Sequence, residues 1–178
     1  MAYKPPIDEN ELVKQLQDPK TASAAFNVLL KTYSQPVYWQ IRKMVLNHDD
    51  ANDLVQNVFL KAWNNLQNFR GDAKLSTWLF KIAVNESINF INKEKQRLKI
   101  SDDDADSFFD GDALKKELLA AIAKLPEKQK LVFNMKYFDE MKYEEMSEIL
   151  GTSVGALKAS YHHAVKKVSE ALLGDQVV

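Results

Sequence analysis

The sequence predicts an all-α protein built as two small helical domains joined by an acidic flexible linker. Apolar residues recur every three or four positions through most of the chain, the period of one helix face. Only 5 Gly and 5 Pro occur in 178 residues, too few for the turns of a many-stranded sheet. One stretch, Ser101-Asp102-Asp103-Asp104-Ala105-Asp106-Ser107-Phe108-Phe109-Asp110-Gly111-Asp112, is acidic and aperiodic, with helical patterns on both sides. The expected division is an N-terminal domain over 1–98, a linker over 99–112 and a C-terminal domain over 113–178. The linker suits a solvated tether; an acidic segment lying over a basic surface as a mimic of nucleic acid is the other reading.

In the N-terminal domain the first helix is expected over Ala22 to Asn47, with Phe26, Leu29, Leu30, Tyr33, Val37, Ile41 and Val45 at helical intervals. After His48-Asp49-Asp50 a second helix buries Leu54, Val55, Val58, Phe59, Ala62 and Leu66. Its other side shows Asp53, Gln56, Asn57, Leu60 and Asn64. A leucine ringed by acid and amide groups is the pattern of a docking patch for another helix; a singly exposed leucine is equally common on any surface. A break follows at Asn68-Phe69-Arg70-Gly71-Asp72-Ala73. The next helix, about Leu75 to Lys95, is apolar on more than one side, through Trp78, Leu79, Phe80, Ile82, Val84, Ile88, Phe90 and Ile91. Such a helix is central, or covered by something else.

Charge is uneven along this helix. Arg70, Lys74, Lys81, Lys93, Lys95, Arg97 and Lys99 face only Asp72, Glu86 and Glu94, giving the domain a basic end. A phosphate backbone would favour that end; cations complementing a helix dipole would look the same. A polar loop beside aromatic residues also suits an unstacked base, although aromatic residues at helical spacing are usually core.

The C-terminal domain opens with Leu114, Leu118, Ile122 and Leu125 on one helix. Pro126-Glu127 then starts another, whose stripe is Leu131, Val132, Met135 and Phe138. Asp139-Glu140-Met141-Lys142 is a short polar break. Tyr143 to Leu150 reads as a helix closed by Gly151, a left-handed cap, and Thr152 and Ser153 offer an N-cap for a last helix over Val154 to Leu173. Helix, glycine turn, helix is the helix-turn-helix pattern. On the last helix Leu157, Tyr161, Ala164, Val168 and Leu172 share the inner stripe. The outer side carries Gly155, Ala159, His162, His163 and Lys166, flanked by Lys158 and Lys167. Small residues near the N-terminus permit close approach to bases, and basic ones further on reach phosphates. Adjacent His162 and His163 diverge by about 100° and do not form a metal pair on one face.

Composition narrows the function. The hydrophobic fraction of 46% and charged fraction of 28% are ordinary for a globular chain. The net charge of −1 lacks the basic excess of a protein that grips DNA alone, so any DNA contact must be local or supported by a partner. There is no cysteine, hence no disulfide framework or thiolate metal site. The start has no apolar run behind it, and no stretch approaches the roughly 18 apolar residues of a membrane span. A cytoplasmic protein is expected.

Taken in order, these segments resemble the extracytoplasmic function (ECF) class of bacterial RNA polymerase sigma factors. The match is carried by Asp49 to Trp63, by Phe69-Arg70-Gly71, and by Ser76-Thr77-Trp78-Leu79-Phe80-Lys81-Ile82-Ala83-Val84-Asn85. It continues through Leu125-Pro126-Glu127 and Tyr143 to Gly151 into Gly155-Ala156-Leu157-Lys158. The resemblance implies a non-enzymatic factor without cofactor or metal, which directs transcription initiation by reading minus-thirty-five and minus-ten promoter elements and helping to melt the duplex. It implies that Asp53, Gln56, Asn57, Leu60 and Asn64 bind the clamp helices of the largest subunit of core RNA polymerase. The loop residues Phe69, Arg70, Gly71 and Lys74 would capture an unpaired minus-ten base, and Trp78, Lys81, Asn85, Asn89, Asn92 and Lys93 would line the strand. At the cap and along the last helix Ser153, Gly155, Ala156, Lys158 and Ala159, with His162, His163, Lys166 and Lys167, would meet the minus-thirty-five element. The acidic linker would run near the RNA exit path. Relatives of this class are commonly held by an anti-sigma factor, which becomes an expected partner.

Three departures stand out. Asn89 and Asn92 occupy positions where the family often has Asp and Arg. Ala159-Ser160 replaces a usual Ser-Arg pair, and His163 replaces an Arg. Arginine is the strongest bidentate reader of guanine, so no promoter sequence is carried over from other members. Two rivals differ in class. A free-standing helix-turn-helix regulator needs dimerisation or a basic surface, and this chain has no heptad seam. A helical enzyme needs a catalytic constellation, and none is visible.

Overall fold

The computed structural model describes residues 7–45, 47–97 and 113–174. The linker expected over 99–112 lies outside them, as does the basic residue Lys99. Among the described residues every regular element is helical, and these residues fall into two compact units. No helix among them is long and apolar enough to cross a membrane.

The first unit contains α1 (Glu9–Gln17), α2 (Ala22–Arg42), α3 (His48–Asn65) and α4 (Leu75–Arg97). Helix α1 was not anticipated: its signal is only Leu12 and Leu16, one turn apart and both buried. Asp8 caps it by accepting from the Asn10 N–H at 2.9 Å, and Glu9 and Glu11 in the first turn complement the dipole.

Helix α2 passes through Pro36 without ending. A mid-helix proline costs about 3 kcal/mol. Leu29, Tyr33, Val37 and Ile41 are all completely buried around it. At roughly 1.5–3 kcal/mol for each fully buried large side chain, packing outweighs the lost bond. The expected extension to Asn47 is corrected. The helix stops at Arg42, and the Asn47 side chain instead caps α3, accepting from the Asp49 and Asp50 N–H groups at 2.7 and 3.4 Å.

Helix α4 packs on both α2 and α3, which explains apolar residues on more than one of its sides. Leu75, Leu79, Ala83 and Val84 are buried, while Trp78, Phe80, Ile82, Ile88, Phe90 and Ile91 are partly covered. An ion pair between Lys61 and Glu86 ties α3 to α4.

The second unit contains α5 (Ala113–Ala123), α6 (Glu127–Phe133), α7 (Tyr143–Leu150) and α8 (Val154–Gly174). Helix α8 lies against the other three, and Ala121, Ile122, Leu125, Phe133, Ala164 and Val168 form a core. Leu114, expected on the inner stripe of α5, is 61% exposed. It sits at the first turn, beyond the reach of the core.

After α6 the chain widens into a π-helical turn over Asn134–Phe138, where the Asp139 N–H reaches back five residues to the Asn134 carbonyl at 3.3 Å. The break that follows is less polar than expected, because Met141 is buried under it while Glu140 takes a positive φ of 50°. Helix α7 begins with the Lys142 N–H donating to Glu145 Oε2 at 3.1 Å. It ends at Gly151, φ 64°, whose N–H donates to the Ser147 carbonyl at 2.9 Å. Ser153 Oγ accepts from the Ala156 N–H at 3.3 Å and caps α8.

Candidate functional site

The expected functional residues lie on three surfaces, one on α3, one on the loop leading into α4, and one on α8. On α3, Asp53, Gln56, Asn57, Leu60 and Asn64 are all exposed. Their spacing of three and four keeps them on one stripe, opposite the buried Ala51, Leu54, Val58 and Ala62. Leu60 is 61% exposed at the centre of this stripe.

Trp63, one turn on, was not in the expected set. It is 43% exposed and extends the apolar patch, with its ring edge-on to Phe26 at 4.9 Å. The i, i+3 spacing from Leu60 was the available signal. Trp39 of α2, 50% exposed, was also missed. It lines a shallow cleft between α2 and α3 with Tyr38, Asn52 and Val55. The wall is pinned by His48, whose Nδ1 pairs with the Tyr38 hydroxyl at 2.7 Å and Nε2 with the Asn52 amide at 3.0 Å. At the start of α3, burial and then the neighbouring carboxylates Glu94, Asp53 and Asp49 raise the pKa of Asp50 above its ordinary value.

The loop surface is built from both sides. Phe69, expected to face a base, is buried instead, with its ring 5.1 Å from that of Trp78. Its carbonyl accepts from Gln17 Nε2 at 2.8 Å. At the other end the Leu75 N–H donates to Glu9 Oε2 at 3.0 Å. Between these anchors Arg70, Gly71 and Lys74 are exposed, with Gly71 at φ 76°. Along α4, Lys81, Asn85, Asn89, Asn92 and Lys93 are exposed and Trp78 is half-buried. These six share an arc opposite the buried Leu79, Ala83 and Ser87, so the loop opens onto one continuous polar stripe.

On α8, Gly155, Ala156, Lys158, Ala159, His162, His163, Lys166 and Lys167 are exposed, as is the cap Ser153. Leu157, Ala164 and Val168 are buried on the other side. A side chain at Gly155 would meet nothing within 4 Å, so the surface there is open. The two histidine rings sit 6.0 Å apart at a steep angle. Lys158 is steadied by the Tyr143 ring, its Nζ 5.7 Å from the centroid, and Lys136 approaches the same ring at 4.7 Å. Lys136 and Tyr143 were not among the expected residues, since only the fold brings them to α8. Burial raises the pKa of Tyr143; burial, then Tyr143 and Tyr137, raises that of Tyr161. Among the described residues no group of three or more His, Asp or Glu side chains could hold a metal ion.

Two family models match this arrangement in order: Sigma-70 region 2 over residues 29–97 and Sigma-70 region 4 over residues 115–168. A first helical unit of the one kind followed by a second of the other defines a transcription factor of the sigma-70 type. The ECF RNA polymerase sigma-E factor of Escherichia coli is 31% identical over 176 residues, spanning 89% of this chain and 91% of that one. The RNA polymerase sigma-H factor of Pseudomonas aeruginosa is 27% identical over 182 residues, spanning 92% and 93%. The chain belongs to the ECF class of RNA polymerase sigma factors. It is not an enzyme; it binds core RNA polymerase and directs promoter recognition.

Solved structures agree on the fold. CnrH, in complex with the cytosolic domain of CnrY, has a TM-score of 0.72 at 23% identity, covering 94% of this chain and 98% of that one. The sigma factor RpoE of Bartonella quintana, in complex with the anti-sigma factor NepR, has a TM-score of 0.71 at 24% identity, covering 83% and 96%.

Proposed function

We propose that the three surfaces divide the work of a sigma factor between them. The α3 face docks on the clamp helices of the largest polymerase subunit, Leu60 entering an apolar contact within the polar ring of Asp53, Gln56, Asn57 and Asn64. The loop from Arg70 to Lys74, with the α4 stripe, takes the minus-ten element and holds an unpaired base, which assists melting. Helices α7 and α8, joined at Gly151, act as a helix-turn-helix that lays α8 in the major groove of the minus-thirty-five element.

The single observation that carries this reading is the continuous stripe on α4. A loop edged by Arg70 and Lys74 opens onto exposed Lys81, Asn85, Asn89, Asn92 and Lys93 with Trp78 half-uncovered among them. Cations for the backbone, amides for base edges and an aromatic surface for stacking are what single-stranded nucleic acid needs. Phe69 serves from behind, as a buried brace of the loop.

The domains divide at 1–98 and 113–178, joined in sequence by the acidic segment 99–112. The protein works in the cytoplasm. An anti-sigma factor is a further partner, as NepR is for RpoE of Bartonella quintana; covering the apolar patch of Leu60 and Trp63 would block docking. Runoff transcription with cognate core polymerase tests the whole reading. Added protein is expected to start transcripts at a discrete set of promoters from the source genome, and a folded protein that activates none would overturn it.

A further inference from the structure

Helix α1 touches the minus-ten loop at both of its ends. Gln17 Nε2 donates to the Phe69 carbonyl at 2.8 Å, and Glu9 Oε2 accepts from the Leu75 N–H at 3.0 Å. These bonds link positions 52 and 66 residues apart, so they are built by the fold and not by local chain geometry. Glu9 is itself held, because Oε1 accepts from the hydroxyl of the fully buried Tyr33 at 2.6 Å. Leu12 and Leu16, buried on the inner side of α1, fix the helix against the core. Glu9 and Gln17 lie two turns apart on α1, one bonded to each end of the loop.

We propose that α1 is a positioning element for base capture. Glu9 and Gln17 hold the ends of the loop, so that Arg70 and Lys74 present one preformed cradle rather than a set of conformers. Neither residue contacts DNA; each acts through a backbone group of the loop. A pre-ordered loop avoids an ordering cost on binding, and the gain appears only for a ligand that occupies the cradle. The Glu9 carboxylate can accept from Leu75 and Tyr33 together. A leucine at this position offers neither acceptor and releases both donors, whereas a glutamine could keep both bonds by donating its amide N–H to the tyrosine hydroxyl.

This inference rests on the minus-ten reading, and its test separates the two. Holoenzyme is assembled with core polymerase on a promoter found by runoff transcription, and binding is compared between that promoter strand intact and the same strand with single abasic positions across the minus-ten element. Wild-type protein should show one position where removing the base weakens binding about tenfold, within the range that one specific base interaction supplies. In Glu9→Leu with Gln17→Leu that discrimination should fall to about twofold or less, while core binding stays unchanged. General weakening of the fold would lower binding to both strands alike and leave the ratio intact. If wild-type protein discriminates at no position, the base-capture reading itself fails. If wild type discriminates and the variant does so equally, α1 is no positioning element. Gln17→Leu alone, at an exposed position, carries the same test should Glu9→Leu impair folding.

Discussion

The hydroxyl of Tyr33 donates to the Glu9 carboxylate across 2.6 Å, joining a completely buried ring of α2 to the first turn of α1. The tyrosine supplies core volume and one directed bond at once. Removing only the bond isolates its worth. Tyr33→Phe keeps the ring and leaves a partly buried carboxylate oxygen without its donor, a loss of about 1.5–3 kcal/mol for a hydrogen bond to a charged group. Urea unfolding of the full chain should show a lower midpoint with an unchanged slope. An unaltered midpoint would mean water replaces the hydroxyl at no cost.

Gln56→Ala combined with Leu60→Ala should weaken binding to core polymerase at least about tenfold, since a central apolar anchor and its polar neighbour are removed together. Both side chains are exposed, so the thermal midpoint should move little. Pull-down of core with unchanged yield would reject the α3 face as the docking surface.

Gly151→Ala tests the turn between α7 and α8. The added Cβ meets nothing within 4 Å, so the cost is conformational only, arising from φ 64°. For an L-residue in the left-handed region that is about 1–2 kcal/mol. Thermal unfolding should report that loss, and affinity for the minus-thirty-five element should fall with it if the turn sets the helix angle.

Asp50→Asn should stabilise the protein at neutral pH. Burial and three nearby carboxylates raise the native pKa of Asp50 above the ordinary 3.8, so the charged form is disfavoured in the folded state. The native state therefore holds this proton more tightly than the unfolded one. Its relative stabilisation is present below pH 3.8 and is lost as pH rises through the raised native value. The advantage of the asparagine variant should accordingly grow over that same rise and vanish in acid. A thermal-midpoint series against pH reads it directly, and an advantage independent of pH would point to altered packing instead.

Lys166→Ala with Lys167→Ala should weaken holoenzyme binding to promoter DNA by similar factors across promoter sequences. The salt dependence should flatten as well, by about one unit of slope for each phosphate no longer neutralised. Exchanging His163 for arginine should act differently, changing which minus-thirty-five sequences are preferred. If both variants shift sequence preference in the same way, the lysines are base readers and do not pair with phosphates.

Much of this protein was readable from periodicity. The inner stripes of α3 and α8 are apolar at spacings of three and four, and polarity of the opposite residues then follows from helix geometry. The glycine stop of α7 was readable for a related reason: Gly151 combines the end of an apolar pattern with the one residue free of a left-handed penalty. Periodicity failed where its signal was short or contradictory. Helix α1 has two buried leucines and a single turn between them, and Asn47 fits both a helix end and a cap; through Pro36, by contrast, the apolar period held and the helix continues.

The sequence by itself thus determined every long helix except α1, which faces are polar and, through the order of its motifs, which family the chain belongs to. Only the tertiary structure decided what Phe69, Glu9, Gln17, Lys136 and Tyr143 do. Periodicity reports the environment of a residue within its own helix, whereas these act across elements far apart in sequence. Phe69 looked like a residue offered to a base and is instead buried against Trp78, its carbonyl held by Gln17 of α1.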